Sequence, residues 1–198
     1  MSHYFDPSPA VPSRRRYVEL ALPGMRVTLA VDRGVFSSGG VDPGTVELLR
    51  AVPAGADPAA DLLDLGCGYG PIAVTVATRY PASTVWAVDV NSRALELAAD
   101  NATALGLPNI RTVTPEQVPD GLVFSQIWSN PPIRIGKQAL HELLGNWLPR
   151  LAPAGTAWLV VQKNLGSDSL AGWIAGSGYR VARLGSRKGY RILQVTRS

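Results

Sequence analysis

The sequence predicts an α/β fold: a mostly parallel sheet covered by helices on both faces, ending in an antiparallel C-terminal hairpin and preceded by an N-terminal β-hairpin. Three observations predict it. From residue 61 onward, short apolar runs alternate with segments of helical periodicity, the pattern of parallel strands joined by crossover helices. Between residues 179 and 196 the helical segments stop, and two apolar-alternating runs flank a glycine turn. Ahead of the alternation, Val18, Leu20 and Leu22, then Val27, Leu29 and Val31, flank Pro23-Gly24, a pair suited to the middle of a turn.

Taken in order, residues 1–16 are rich in proline, serine and arginine and lack periodicity, so a flexible arm is expected before a single domain over 17–198. The hairpin occupies 17–33. Gly34 to Thr45 is a glycine-rich connection, in which Asp42 reads as a helix cap and Pro43 as the first helical residue of a short helix through Leu48 and Leu49. Pro53 to Ala59 is a linker of small residues. The core spans 61–198, with strands expected at 61–66, 84–89, 109–114, 122–129 and 155–162. Helices are expected at 70–80, 91–105, 137–150 and 167–176. The helix over 137–150 is the clearest, because Leu140, Leu143, Leu144, Trp147 and Leu148 keep helical spacing. Tyr179 to Leu184, a turn at Gly185 to Gly189, and Tyr190 to Thr196 form the closing hairpin.

Composition bounds the function. A chain of 198 residues, 46% hydrophobic and 17% charged, is an ordinary globular domain. It carries no run of about 18 apolar residues that could span a membrane, and its start lacks the basic-then-apolar layout of a signal peptide. A single cysteine fits a reducing cytoplasm. The net charge is +4, with basic residues gathered at Arg14 to Arg16, Arg134 to Lys137 and Arg187 to Arg191. Such a surface suits a polyanion such as RNA, and equally suits simple solubility.

Two motifs carry chemistry. Leu62 to Pro71 is an apolar strand running into Gly66-Cys67-Gly68-Tyr69-Gly70 and then a helix. The glycines allow a sharp turn and close approach of a ligand. The next strand ends in Asp89, about twenty residues on, where a carboxylate can accept both hydroxyl protons of a ribose. Dinucleotide and S-adenosylmethionine sites share this layout. The spacing Gly-x-Gly-x-Gly behind Asp64 favours S-adenosylmethionine, because Asp64 suits an ammonium and would repel a pyrophosphate.

The second motif, Ile127-Trp128-Ser129-Asn130-Pro131-Pro132-Ile133, follows the fourth core strand. An exocyclic amino group is a poor nucleophile, since its lone pair is delocalised. The Asn130 side-chain oxygen and the Pro131 carbonyl can hold the two amino hydrogens and stabilise positive charge developing on nitrogen. Pro131-Pro132 makes a stiff platform. Elsewhere, His141-Glu142 lacks the second histidine of a zinc helix, and two histidines with no Cys-x-x-Cys make a metal site improbable. Lys163 and Lys188 to Arg191 read either as solvated charges or as contacts to substrate phosphates.

With these motifs in place, the sequence resembles the small-domain methyltransferases related to the bacterial small-subunit rRNA guanine-N2 methyltransferases, and matches their catalytic half. The resemblance runs through Gly34 to Ser37, Asp42 to Thr45, Asp64 to Gly70, Ala87 to Asn91, Ser129 to Pro132, Gly136-Lys137, Gln162-Lys163 and Lys188 to Arg191. It implies a class I methyltransferase fold with a Rossmann-like sheet. It implies that Asp64, Gly66, Cys67, Gly68, Gly70, Asp89 and Val90 hold S-adenosylmethionine, with Asn130, Pro131 and Pro132 at the amine. Two departures stand out. Ile133 replaces the aromatic residue that usually stacks on the target, leaving Tyr4, Phe5 or Phe36 for stacking. The usual aspartate near the adenine is absent, so Glu116 is its substitute. Phe36, Ile133, Arg134, Lys137 and Lys163 are the expected substrate contacts. The implied function is N2-methylation of guanine in ribosomal RNA, on naked RNA or a small-subunit particle, in the cytoplasm. Protein-glutamine or DNA-adenine methylation, or a non-catalytic binding protein of the same fold, remain the alternatives.

Overall fold

In the computed structural model, residues 12–37, 39–52, 54–55 and 59–198 are described. Most of the expected arm, residues 1–11, lies outside them, as do Tyr4 and Phe5. The end of the arm is tied down: Ser13 Oγ and the Arg14 N–H both donate to the Asp32 carboxylate, at 2.5 Å each.

The N-terminal hairpin pairs β1 (Arg16–Leu22) with β2 (Met25–Val31) across Pro23-Gly24, with Leu22 opposite Met25. Its alternation buries Leu20, Leu22, Leu29 and Val31. After it come α1 (Pro43–Ala51), β3 (Asp61–Leu65), α2 (Pro71–Arg79), β4 (Thr84–Val88), α3 (Ser92–Ala104) and β5 (Ile110–Val113). The second half contains β6 (Phe124–Ser129), α4 (Lys137–Trp147), β7 (Leu151–Gln162), α5 (Ser167–Gly176), β8 (Tyr179–Arg187) and β9 (Tyr190–Arg197).

The seven core strands form one sheet in the order β5-β4-β3-β6-β7-β9-β8. The first five are parallel, and β9 runs antiparallel to both β7 and β8. The chain therefore builds outward from β3 to β5, then returns to lay β6 on the other side of β3. That reversal opens a crevice beyond the C-terminal ends of β3 and β6, where open α/β sheets bind ligands.

Strand alternation divides the core into two layers. Leu62, Trp128 and Val160 face the layer shared with the hairpin, α1, α2 and α3. Leu63, Ile127, Leu159 and Val161 face the layer shared with α4 and α5. His141 of α4 stacks on Trp173 of α5 with ring centroids 4.0 Å apart, so it packs between helices.

Three boundaries depart furthest from the sequence reading. The helix over 137–150 ends at Trp147, and Leu148–Arg150 tightens into a 3-10 turn around Pro149. β7 begins at Leu151 instead of 155, because a register shift against β6 absorbs the extra residues around Pro153. The turn expected at Gly185 to Gly189 shrinks to Lys188-Gly189, both with positive φ (49° and 81°). Gly185 instead sits at an irregularity in the β8–β9 pairing.

Candidate active site

The glycine turn after β3 is held by backbone and carboxylate. The N–H groups of Gly66 and Cys67 donate to the Val88 carbonyl at 2.8 and 3.0 Å, binding the turn to the end of β4. Gly66, Gly68 and Gly70 all have positive φ (74°, 56° and 89°). A Cβ on Gly66 or Gly68 would meet no protein atom within 4 Å, so the turn faces open space, whereas one on Gly70 would press on Ala98 at 3.2 Å. Gly70 is thus needed for close packing of α2 on α3.

Asp89, just past β4, accepts from the Gly68 N–H and the Asn91 N–H, each at 2.9 Å, through different oxygens. A carboxylate has about four acceptor sites, so capacity remains for a ligand hydroxyl. Burial holds its pKa above the ordinary value despite these bonds. Asp64 lies beneath the turn. One of its oxygens accepts from the Ala73 N–H at 2.8 Å, and the other is buried without a hydrogen-bond partner. Burial, reinforced by the charge of Asp89, pushes its carboxyl up to about 8 against the pull of the Ala73 N–H.

Across the crevice, β6 delivers Asn130. Ser129 is fully buried and donates to the Leu65 carbonyl at 2.7 Å, which fastens the end of β6 to the end of β3. The Asn130 Nδ2 group donates to Asp42 Oδ1 at 2.8 Å and to Thr45 Oγ1 at 3.0 Å. Its Oδ1 has no hydrogen-bond partner among the described residues. The Pro131 carbonyl accepts from the Ile133 N–H at 2.8 Å, and Pro132 has φ −75° and ψ 76°, the geometry of an inverse γ-turn. One lone pair of that carbonyl stays available.

A cavity of about 750 Å³ joins the two halves. Of the residues the sequence singles out, Gly66, Gly68, Asp89, Val90, Asn130, Pro131, Pro132, Ile133 and Phe36 line it. Asp64, Cys67, Gly70, Glu116, Lys137 and Lys163 do not. Cys67 turns into the core, where burial raises its thiol pKa. Glu116 is exposed, and its neighbour Pro115 lines the wall instead. The Arg134 side chain lies outside the described residues.

Sequence reasoning missed several wall residues. Asn91 caps α3 and donates to the Gly34 carbonyl at 2.9 Å, bringing the Val35-Phe36 loop to the cavity. Glu142, Leu143 and Trp147 of α4 line the far wall; the helical spacing that marks Leu143 and Trp147 as apolar does not say which face meets a ligand. Gln162 and Tyr190, joined by a 3.1 Å hydrogen bond, complete the mouth. Asp42 also lines the cavity, although the sequence shows it only as a helix cap.

The basic clusters are largely spoken for. Arg15 pairs with Asp100 at 2.7 Å, and Arg191 and Arg183 pair with Asp168. Lys188, Arg187 and Arg50 surround the buried Glu47 carboxylate at 3.3, 3.7 and 3.9 Å. Among the described residues no helix is long and apolar enough to cross a membrane. No group of three or more His, Cys, Asp or Glu residues gathers there to hold a metal ion.

The arrangement can therefore bind a ribose-bearing ligand against the glycine turn and present two acceptors to a donor nitrogen across the crevice. Residues 26–194 match the family described as "Methyltransferase small domain". The Bacillus subtilis uncharacterized protein YbxB is 32% identical over 196 residues, covering 98% of this chain and 97% of that one. The Hahella chejuensis ribosomal RNA small subunit methyltransferase C is 35% identical over 142 residues, covering 67% of this chain and 39% of that protein. The chain thus spans less than half the length of that rRNA methyltransferase. Among solved structures, the T. thermophilus 16S rRNA N2 G methyltransferase (RsmC), in complex with AdoMet and guanosine, superposes with a TM-score of 0.78 at 24% identity. It is matched over 96% of this chain and 52% of that one.

Proposed function

This chain belongs to the methyltransferase small-domain family, and from that premise we propose that it methylates the exocyclic N2 of a guanine in ribosomal RNA. The cofactor of the family is S-adenosylmethionine, and the residues present fit it. Asp89 has acceptor capacity left for a ribose, Gly66 and Gly68 leave open space before the turn, and Asp64 keeps an unsatisfied buried oxygen below it. The cofactor supplies an electrophilic methyl group on a sulfonium sulfur.

The observation that carries the reading is that Asp89 and the Asn130-Pro131-Pro132 turn open into one cavity across the sheet's reversal point. In this reading Asn130 Oδ1 and the free lone pair of the Pro131 carbonyl accept the two amino hydrogens, turning the nitrogen lone pair towards the methyl. They also stabilise the positive charge that nitrogen gains in the transition state. Phe36, on the cavity wall and 46% exposed, stacks on the base in place of the aromatic residue missing at Ile133. In the same reading Arg134, Lys137 and Lys163, each close in sequence to a cavity residue, grip phosphates while the base leaves its stack. The partner is ribosomal RNA or a small-subunit particle in the cytoplasm.

The test is nucleoside analysis of small-subunit rRNA from cells with and without the gene, alongside methyl transfer from labelled cofactor into RNA, protein and DNA. Loss of one N2-methylguanosine is the expected result. Unchanged N2-methylguanosine with reduced glutamine or adenine methylation would replace guanine by one of those targets.

A further inference from the structure

We propose that Asp42 and Thr45, at the start of α1, are positioning residues for Asn130. They hold its amide so that the oxygen faces the incoming amine and the NH2 group faces away. The proposal rests on the reading of Asn130 as the residue that receives the amine.

An asparagine amide is nearly symmetric in shape and opposite in chemistry at its two ends. Turned one way, Asn130 offers an acceptor to the cavity; turned the other way, it offers two donors to a group that is itself a donor. The Pro-Pro sequence stiffens the backbone but does nothing to choose between these side-chain orientations. Asp42 does choose. An ionised carboxylate accepts and cannot donate, so the 2.8 Å contact with Asp42 Oδ1 admits only the NH2 end of Asn130. Thr45 Oγ1 takes the same group at 3.0 Å. Reversing the amide would set its oxygen against the carboxylate; the Thr45 hydroxyl can donate as well as accept, so Asp42 makes the choice and Thr45 adds a second bond to the chosen end.

The same carboxylate oxygen caps α1, accepting from the Gly44 and Thr45 N–H groups at 2.8 and 3.1 Å. Charge makes such hydrogen bonds stronger than neutral ones. A bond donated to an anion also polarises the amide, leaving Oδ1 more negative where positive charge develops.

The helix that carries this pair is itself fixed. Glu47 is clamped by Arg187 at the end of β8 and by Lys188 in the turn after it. Arg79 donates to the Leu49 and Val52 carbonyls at 2.6 and 2.9 Å, satisfying the helix's C-terminal end. Gly44 lets the Tyr190 ring lie against the first turn, since a Cβ there would stand 2.6 Å from the ring. Each residue of Asp42-Pro43-Gly44-Thr45 thus has a physical task, and two of them act on Asn130.

The test reads the substrate-free protein first. The side-chain NH2 resonance of Asn130, assigned by its loss in Asn130→Ala, should be protected from hydrogen exchange. Thr45→Val keeps the shape of the side chain and removes the acceptor, and Asp42→Ser keeps a capping oxygen on a shorter side chain. Both should speed that exchange up to about tenfold, the range of one hydrogen bond, whereas Thr45→Ser should behave as wild type. Unchanged exchange in Thr45→Val and Asp42→Ser overturns the proposal whatever the substrate proves to be.

Turnover on the labelled substrate is the second readout. Thr45→Val should lower kcat about tenfold, with KM for the substrate and the cofactor affinity nearly unchanged. In the Asn130→Ala background it should lower kcat no further, because nothing is left to position. An equal loss in both backgrounds would show a purely structural effect and overturn the assignment. Should guanine N2 prove the wrong target, the exchange result still decides the proposal.

Discussion

At the residue scale, the two acids around the glycine turn sit in different surroundings. Asp89 sits on the cavity wall and also receives the Gly68 N–H. Asp89→Ala should weaken S-adenosylmethionine binding about ten- to a hundredfold, the worth of one charged hydrogen-bonding group of roughly 1.5–3 kcal/mol; calorimetry on the folded variant measures it. Asp64 is buried beneath the turn, with its carboxyl pushed up to about 8. Between its ordinary value of 3.8 and about 8, the folded state holds a proton that the unfolded state has lost. Stability of the ligand-free protein therefore falls as pH rises through that window. Asp64→Asn removes this fall, so denaturant unfolding should find the variant progressively more stable than wild type between pH 4 and pH 8. A difference that stays constant with pH would show that Asp64 is ionised in the fold.

At the scale of elements, side chains stand in for missing secondary structure. The N-terminal hairpin has only two strands, too few to be stable alone. Asn101 of α3 supplies what a third strand would: its Oδ1 accepts from the Ala30 N–H at 2.7 Å, and its Nδ2 donates to the Ala30 carbonyl at 3.0 Å and the Tyr69 carbonyl at 2.8 Å. Asn101→Ala leaves those buried groups unpaired. It should cost about 1–3 kcal/mol in unfolding free energy, and the Ala30 amide should become the hairpin's first to exchange. Glu47 does a related service for α1. It draws Arg50, Arg187 and Lys188 around a buried carboxylate, so cations that the sequence offers either as solvated charges or as substrate contacts also tie the C-terminal hairpin to a helix.

At the scale of the whole molecule, the reversal of strand order between β3 and β6 brings two motifs, far apart in sequence, to one crevice. With the cations of the C-terminal hairpin already paired to carboxylates, the proposed RNA affinity should draw on cations next in sequence to cavity residues. Lys137 and Lys163 are exposed and enter no ion pair among the described residues. Replacing both with alanine should weaken RNA binding and reduce the salt slope by about two, because two fewer counterions are released on association. Cofactor affinity, measured by calorimetry, should stay the same.

What the sequence determined by itself is local and periodic. Apolar alternation located the strands and helices to within a few residues, Pro23-Gly24 placed the first turn, and the glycine run of 66–70 marked the turn that ends β3. Backbone conformation at such places depends on the residue itself and its neighbours, so it can be read in order. Of the candidate site, Asp89 and Asn130 stood out because each directly follows a strand in a recognisable frame. Only the tertiary structure decided which side chains meet across the chain. Asp42 and Thr45 touch Asn130 from more than eighty positions away, Arg187 and Lys188 find Glu47, and Cys67 turns from the glycine motif into the core. These outcomes follow from strand order and from the rotation of α1 on the sheet, which no local pattern encodes. A charge or an amide looks the same in sequence whether it meets solvent, substrate or a buried partner.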